Sequence, residues 1–213
     1  MTVQNSTGQH TDNTIQVSIA SGLDDLTKCY VVRGIAFLGE QGSPYSEEFD
    51  GNDHSATHVL ASVRGEPVGA LRIRYFGDFA KPERLAVLPA YRMKRVGGQT
   101  VSGALVTYAV DLCRRKGYTT LYGHAQKRLV RFWGKFGFKP CEQELHYSDH
   151  DYVVMRADYP RHPDAISLAA PPLTIVRPEG RWNEPGPFDL SLDRPATNQV
   201  KALNRGALNA AAE

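Results

Sequence analysis

After a polar opening, MTVQNSTGQHTDNT, the apolar residues Ile15, Val17 and Ile19 alternate with polar ones, the period of a half-buried strand. Ser21 followed by Asp24 has the form of a helix N-cap with an acidic residue near the third position. Leu23, Leu26, Tyr30 and Phe37 then recur at near-helical spacing, so a helix follows the strand. Gly39 to Asp53 is rich in Gly, Ser, Pro, Glu and Asp and reads as a long functional loop. HVLASVRG and PVGALRIRYF flank the turn Gly65-Glu66-Pro67 and predict a hairpin. Glu83 to Leu88 is a short strand stopped by Pro89. From Val101, the positions Ala104, Leu105, Tyr108, Ala109 and Leu112 follow an i, i+3, i+4, i+7 pattern up to Arg114, Arg115, Lys116 and Gly117. Cations there suit the negative end of a helix, and the glycine suits a left-handed cap. TTLYGHA is a strand, LVRFWGKF a short helix stopped by Gly137, and Phe138 to Ala157 two strands around Ser148-Asp149. The order is that of a mixed α/β (α+β) domain.

From Tyr159 this patterning fades: eight of the thirteen prolines lie between Pro160 and Pro195, which excludes a continuous helix or a central strand. Leu173, Ile175, Val176, Trp182, Phe188 and Leu190 are nonetheless too apolar for a purely solvated linker. The expected organisation is a disordered polar arm (1–13), one folded domain (14–158) and an extended Pro-rich tail (159–213). The tail wraps its own core or crosses to a second copy in a homodimer, with Trp182 and Phe188 as anchors. A weak helical pattern lies near Val200 to Ala211.

Composition narrows the function. With 213 residues, 41% hydrophobic and 23% charged, the chain is an ordinary globular one, and a net charge of +2 gives no global field for nucleic acid or an anionic membrane. Any anionic ligand must meet a local basic patch. Cys29, Cys113 and Cys141 are too few and too scattered for a disulfide framework or a zinc site, which fits a reducing cytoplasm. His54 and His58 have no metal-like arrangement with other ligands, so no metal is expected. The first residues lack the cationic start and apolar run of a signal peptide, and no stretch is long enough to span a bilayer.

The most informative segment is LAVLPAYRMKRVGGQTV, residues 85–101. A strand ends at Pro89, Arg92, Lys94 and Arg95 follow, and Gly97-Gly98 opens the best helix. Glycine lets backbone amides approach a ligand, and a helix N-terminus presents unpaired donors with partial positive charge, so a pyrophosphate is a natural guest. The alternative is that the glycines only relax a tight turn and the cations are solvated.

The order of strand, V-x-P-x-Y-R, glycine-opened helix, strand and FWGKFGF resembles the GNAT superfamily of acetyl-CoA-dependent N-acyltransferases over roughly residues 14–158, about two thirds of the chain. VRGIAFLGEQGSPYSEEFDGNDHSATHVLA, with His124-Ala125-Gln126, is similar to a branch of small bacterial acetyltransferases. The family's Q/R-x-x-G-x-G/A signature is matched by Arg92 and Gly97, with Arg95 in place of the first glycine. The resemblance implies a mostly antiparallel central sheet with splayed strands 4 and 5, flanked by helices. It implies acetyl-CoA as co-substrate, with the backbone of Leu85, Ala86 and Val87 holding the pantetheine arm and Met93, Lys94, Arg95, Val96, Gly97 and Gly98 cradling the pyrophosphate. Lys127, Arg128 and Arg131 either meet the 3'-phosphate or form a solvated basic helix.

Transfer to an amine needs a group that takes the ammonium proton. Glu83 and His124, on the two splayed strands, are the catalytic candidates; otherwise Glu83 pairs with an arginine and His124 is a satisfied strand histidine. The family often has a tyrosine where Trp133 stands; indole is no acid, so Trp133 packs against the cofactor arm, and water or a hydroxyl such as that of Tyr122 protonates the thiolate. Arg33 and Glu40 are candidate ligands of the acceptor, a small-molecule or peptide amine, together with Glu47, Glu48, Asp50 and Asp53, unless these last form an acidic solvated loop. The alternatives to an N-acetyltransferase are an acyl-homoserine-lactone-synthase-like acyltransferase, whose beginning the Arg33 to Phe37 run also resembles, and a non-catalytic CoA-binding module.

Overall fold

The computed structural model describes residues 13–192, so the polar arm before residue 13 and the helical pattern near Val200 to Ala211 lie outside the described residues. The described residues up to Ile166 form one compact unit and those from Ser167 a second.

The first unit begins with β1 (Ile15–Ile19), paired antiparallel with β2 (Thr57–Val63). Helix α1 (Leu23–Arg33) starts two residues after Ser21, so Gly22 and not Ser21 is its N-cap, while the amide and hydroxyl of Ser21 both donate to Asp25. Asp25, and not Asp24, is therefore the acid that reaches back; Asp24 instead bonds Lys28 at 2.6 Å. The helix continues as a π-helix, Gly34–Glu40, so it runs past Phe37 into the expected loop. The remainder of that loop is also partly ordered, with α2 (Tyr45–Glu48) and a 3-10 turn at Asp53–Ser55.

The hairpin of β2 and β3 (Glu66–Tyr75) turns at Arg64-Gly65, both at positive φ, one residue earlier than the Gly65-Glu66-Pro67 turn. Strand β4 (Phe79–Val87) starts four residues before Glu83, because Pro82 lies inside it. A short hairpin of β5 (Arg95–Val96) and β6 (Gln99–Thr100) leads into α3 (Val101–Arg115). Strand β7 (Thr120–Gln126), helix α4 (Val130–Gly134), β8 (Lys139–Tyr147) and β9 (His150–Asp158) follow. The β8–β9 turn is at Ser148-Asp149, both with positive φ, where the sequence placed it.

The main sheet has the order β1-β2-β3-β4-β7-β9-β8 and is antiparallel except where β4 meets β7. Side-chain alternation divides its core into two layers. Leu60, Ala70 and Ala86 pack with Cys29, Val32 and Ala36 beneath α1. The neighbouring Gly69 points the other way, against Val101 and Leu105 of α3. The helices thus cover opposite faces of β2–β4, and the periodicity that predicted α3 marks the side it buries.

Between Arg72↔Glu83 and Ala70↔Ala86 one residue of β3, Leu71, faces two of β4, Arg84 and Leu85, and Arg84 takes φ +51°. This is a β-bulge, which bends β4 and increases its twist. On its other side β4 pairs with β7 only at Phe79↔Thr120 and Ala80↔Leu121. The next position of β4 whose backbone points toward β7 is Pro82. The Phe76 amide donates to the Phe79 carbonyl, and hydrogen bonding alternates from there, so the nitrogen of Pro82 faces β7, where it has no hydrogen to give. Pro82 and the bulge together account for the parting of the strands.

In the second unit a 3-10 turn (Thr174–Val176) and α5 (Pro187–Leu192) stand among the prolines. Arg177 holds them together, donating to both carboxylate oxygens of Asp189 and to the Trp182 carbonyl, while the Gly186 amide also donates to Asp189. Of the two expected anchors, Trp182 is buried and Phe188 exposed.

A Cβ added at Gly69 would lie 2.6 Å from Val101 Cγ1 and 2.9 Å from Leu105 Cδ1. Gly69→Ala should therefore destabilise the domain by about 1–3 kcal/mol through overpacking, read as a lower urea midpoint with an unchanged m-value.

Candidate active site

The gap between β4 and β7 is bordered by backbone that has lost its ladder. Since the Leu88 amide donates to the Val68 carbonyl, alternation places the hydrogen-bonding groups of Ala86 toward β3 and those of Leu85 and Val87 toward the gap. The Val87 carbonyl is already taken by Arg92 Nε at 3.0 Å. The Leu85 amide and carbonyl and the Val87 amide are the groups that face the gap. Ala86 belongs to the ladder, a distinction that only the register reveals.

Gly97 and Gly98 do not open α3 directly. Both have positive φ and form the two-residue turn of the β5–β6 hairpin, with Val96 paired to Gln99. The helix starts at Val101, capped by Thr100, whose hydroxyl accepts from the Gly103 amide. The amides of Val101 and Ser102 remain at its positive end without an intrahelical acceptor. Arg95, which replaces the expected glycine, folds back to donate to the Gly98 carbonyl at 2.7 Å and so staples the hairpin. Met93 is exposed at φ +59°, Val96 is buried, and the Lys94 ammonium lies 5.5 Å from the Tyr91 ring centre. Arg92 also pairs with Glu40, which joins the end of the π-helix to this turn.

Glu83 and His124 face the gap from the two strands. Phe79, Lys81 and Glu83 share the face of β4 on which Phe79 meets Tyr122, 5.6 Å between ring centres, and Tyr122 meets His124 at 5.5 Å. The Glu83 carboxylate is bonded by Arg72 Nε at 2.9 Å, Arg72 Nη2 at 2.6 Å and Lys81 at 2.9 Å. Burial favours its protonated form, but the charges of Lys81 and Arg72 outweigh that and hold its pKa below the usual value. It is an ion-pair partner and a weak base. His124 is half-buried, and its pKa is lowered by burial first and by the charge of Lys81 second, against the opposing charge of Glu83. It is therefore neutral at pH 7 and able to accept a proton.

Behind Glu83 lies a feature that no sequence motif announced. Arg72, in mid-β3 and fully buried, donates to Asp50 at 2.8 and 2.7 Å, to Asp53 at 3.0 Å and to Glu83. Arg33, also fully buried, bonds Glu48 at 2.5 Å and Asp53 at 2.6 Å, with its guanidinium 5.3 Å from the Phe49 ring centre. Arg84 completes the cluster with Glu48 at 2.9 Å and Asp50 at 3.3 Å. The acidic segment is thus no solvated loop: Glu48 and Asp53 are buried, and Arg33 is committed to them and unavailable as an acceptor ligand. Glu47 points elsewhere, toward the Ser148 hydroxyl. The available signal was charge balance, since Arg33, Arg72, Arg84 and Lys81 match Glu48, Asp50, Asp53 and Glu83, but pairing them requires the fold.

Burial raises the proton affinity of Asp50 and Asp53, yet bonds to Arg72 and Arg33 reverse this and both titrate below the ordinary carboxyl range. For Glu48 burial wins over Arg33, and its pKa is raised. His58 is held neutral by burial, its Nε2 hydrogen donated to the Asp53 carbonyl at 3.0 Å. His54 is exposed. Among the described residues no group of His, Cys, Asp and Glu is placed to hold a metal.

Trp133 is buried against Phe138, 5.2 Å between ring centres, and the two line a small cavity with Pro82, Gly123 and Ala125 at the gap. Lys127 bonds Glu144 at 2.7 Å, while Arg128 and Arg131 are exposed.

A model of the acetyltransferase (GNAT) family matches residues 23–138. An uncharacterized N-acetyltransferase of Bacillus subtilis, YjcF, is 32% identical over 126 residues, covering 59% of this chain and 86% of its own. An acyl-CoA N-acyltransferase from Pseudomonas aeruginosa superposes with a TM-score of 0.60 at 23% identity, over 68% of this chain and 99% of its own. A GNAT family acetyltransferase from Elizabethkingia anophelis with acetyl-CoA bound has a TM-score of 0.52 at 14% identity, over 68% of this chain and 97% of its own.

Replacing Arg72 by methionine leaves Asp50, Asp53 and Glu83 short of their shared cation and should destabilise the protein by about 3–5 kcal/mol at neutral pH. These carboxyls have depressed folded pKa values, so their contribution is present above about pH 4 and is lost as pH falls through the folded values. The raised pKa of Glu48 acts in the opposite sense. The gap between wild type and Arg72→Met in chemical unfolding should narrow below about pH 4; a pH-independent gap would refute the assignment.

Proposed function

We propose that this chain, which belongs to the acetyltransferase (GNAT) family, transfers an acetyl group from acetyl-CoA to a primary amine by direct transfer in a ternary complex. The observation that carries the reading is the parting of β4 and β7 after two ladder pairs, with free backbone groups of Leu85 and Val87 on one side and a neutral histidine on the other. The residues present suit the co-substrate. The Gly97-Gly98 turn, the first amides of α3, Lys94 and Arg95 together make a cationic, donor-rich cradle for a pyrophosphate. Bound acetyl-CoA supplies an activated thioester carbonyl and a thiolate leaving group.

The chain's own residues then have distinct tasks. The Leu85 and Val87 amides suit the amide-rich arm and the developing negative charge on the carbonyl oxygen. His124 accepts the proton released when the acceptor ammonium becomes a nucleophilic amine. Glu83, paired by Arg72 and Lys81, fixes the electrostatic field at that histidine rather than taking the proton itself. Trp133 carries no acidic proton for the thiolate, which leaves that step to water or a hydroxyl, and its burial beside Phe138 supports a packing role.

Acetyl-CoA should raise the melting temperature of the wild type, since it binds only the folded form. Gly97→Glu places a carboxylate in the turn at φ +56° and should abolish that shift; an undiminished shift would remove the phosphate-turn reading. In the pH dependence of kcat/KM the acidic limb should fall below the ordinary histidine value of about 6.5, because the pKa of His124 is lowered. His124→Gln should remove that limb and lower kcat by about 10²- to 10⁴-fold while acetyl-CoA binding persists. An unaltered profile would leave solvent as the base.

A further inference from the structure

With the acidic segment around Asp50 and Asp53 consumed by Arg33, Arg72 and Arg84, the recognition of the acceptor must be sought elsewhere on the face that carries His124. A groove of about 500 Å³ opens there, within the size range of sites for small molecules. Phe79, Tyr122 and Val154 form its floor, and Asp78, Glu142 and Arg156 its rim. It adjoins the gap directly: Val154 stands opposite His124 in the β7–β9 ladder, and the Tyr122 ring touches both Phe79 and His124. Along it β8 breaks register with β9 between Pro140 and Glu144, so Cys141, Glu142 and Gln143, which line the groove, have no ladder partner on β9.

Its charges are unbalanced. Arg156 is bound to Asp158 at 2.9 Å, and Asp158 is also bonded by the Thr120 hydroxyl, so this pair is neutral. Asp78 and Glu142 form no ion pair within 4 Å among the described residues; Asp78 lies in the field of Arg156, and Lys139 stands opposite Arg156 and acts on Asp158, so three carboxylates face two cations and the rim keeps one net negative charge over two aromatic rings. That combination suits a cation: carboxylates attract it and aromatic faces accept it after partial desolvation. A strand rises about 3.3 Å per residue, so the groove between Tyr122 and Thr120 lies roughly 7–13 Å from His124. This is the reach of an alkyl chain, and the floor supplied by Phe79 and Val154 is apolar as a methylene chain requires.

We propose that this groove holds the second cation of a linear diamine or polyamine acceptor, whose other amine sits at His124 to be acylated. The proposal rests on the reading of that face as the acceptor side and assigns the substrate class. Asp78 and Glu142 select by charge, and Phe79 and Tyr122 by chain length and cation–π contact. A short diamine cannot reach both places, and a monoamine of matching length leaves the carboxylates without a partner.

The test compares hexamethylenediamine, ethylenediamine and hexylamine as acceptors with acetyl-CoA at one pH. In the wild type kcat/KM for hexamethylenediamine should exceed that for each of the others by about tenfold or more. In the double variant Asp78→Asn, Glu142→Gln the preference over hexylamine should collapse, and in Asp78→Lys, Glu142→Lys it should invert. Both positions are exposed, and circular dichroism with thermal melting would verify that the variants fold. Titration calorimetry with hexamethylenediamine, without acetyl-CoA, should show binding to the wild type and its loss in both double variants. Equal kcat/KM for the diamine and hexylamine, or diamine binding that survives charge reversal, would overturn the groove assignment. Binding that follows these variants while no amine is acylated would support the groove and refute the proposed reaction.

Discussion

Strand β4 cannot stay paired with β7, and the site follows from that. At Pro82 the chain has no hydrogen to offer β7, and two residues later Arg84 enters the left-handed region and bends the strand away. A backbone left unpaired in a folded interior is costly, so a sheet that opens in this way must offer its amides and carbonyls to something else. Arg92 takes one of them, the Val87 carbonyl. The rest face a gap walled by His124 on one strand and by Trp133 and Phe138 beneath.

The bulge is held in place by charges. Arg72 bonds Glu83 on the residue before it, and Arg84 itself reaches Glu48 and Asp50. Four cations and four carboxylates from α1, α2, the loop at Asp50, the 3-10 turn at Asp53–Ser55, β3 and β4 meet here, most of them shielded from water. Such a cluster is a poor source of net stability, because removing each charge from water costs nearly what the pairing returns. It is a strong source of specificity, because any arrangement that leaves one charge unpaired is heavily penalised. The cluster therefore ties the loop after α1 to the strand that bends, and it separates the two acid–base groups of the gap. Glu83 is pinned as an anion, whereas burial and the charge of Lys81 lower the pKa of His124 and keep its ring neutral.

The same division of labour separates the glycine turn from the groove beside His124. Arg95 in place of a glycine does not crowd the turn, because its side chain folds onto the Gly98 carbonyl and braces a hairpin whose two glycines bear the unusual backbone angles. The hairpin delivers the chain to α3 with Thr100 already positioned as the cap. At the other end of the gap β8 breaks register with β9 along the groove, while the β7–β9 pairing that positions His124 stays continuous.

The elements themselves were legible from local pattern. Alternation in β1, β2 and β3, the 3.6-residue period and basic end of α3, and the turn at Ser148-Asp149 each depend on neighbours in sequence, which is the information a sequence carries explicitly. The glycine turn and the histidine on β7 could be singled out for the same reason. Start points were misjudged where a local rule was overridden by the fold: Pro82 argues against a strand, yet β4 includes it because its nitrogen faces a gap. For the acidic segment from Glu48 to Asp53 the sequence left an acceptor site and a solvated loop both open, because its partners, Arg33, Arg72 and Arg84, are brought to it only when the sheet and α1 close over it. Likewise the choice between Leu85, Ala86 and Val87 as groups facing the gap depends on ladder register, a relation between residues far apart in the chain. Residue type and spacing determined which groups were present for chemistry; which of them are neutralised by one another and which remain available was decided by long-range packing, since ion pairing and burial are properties of neighbours in space.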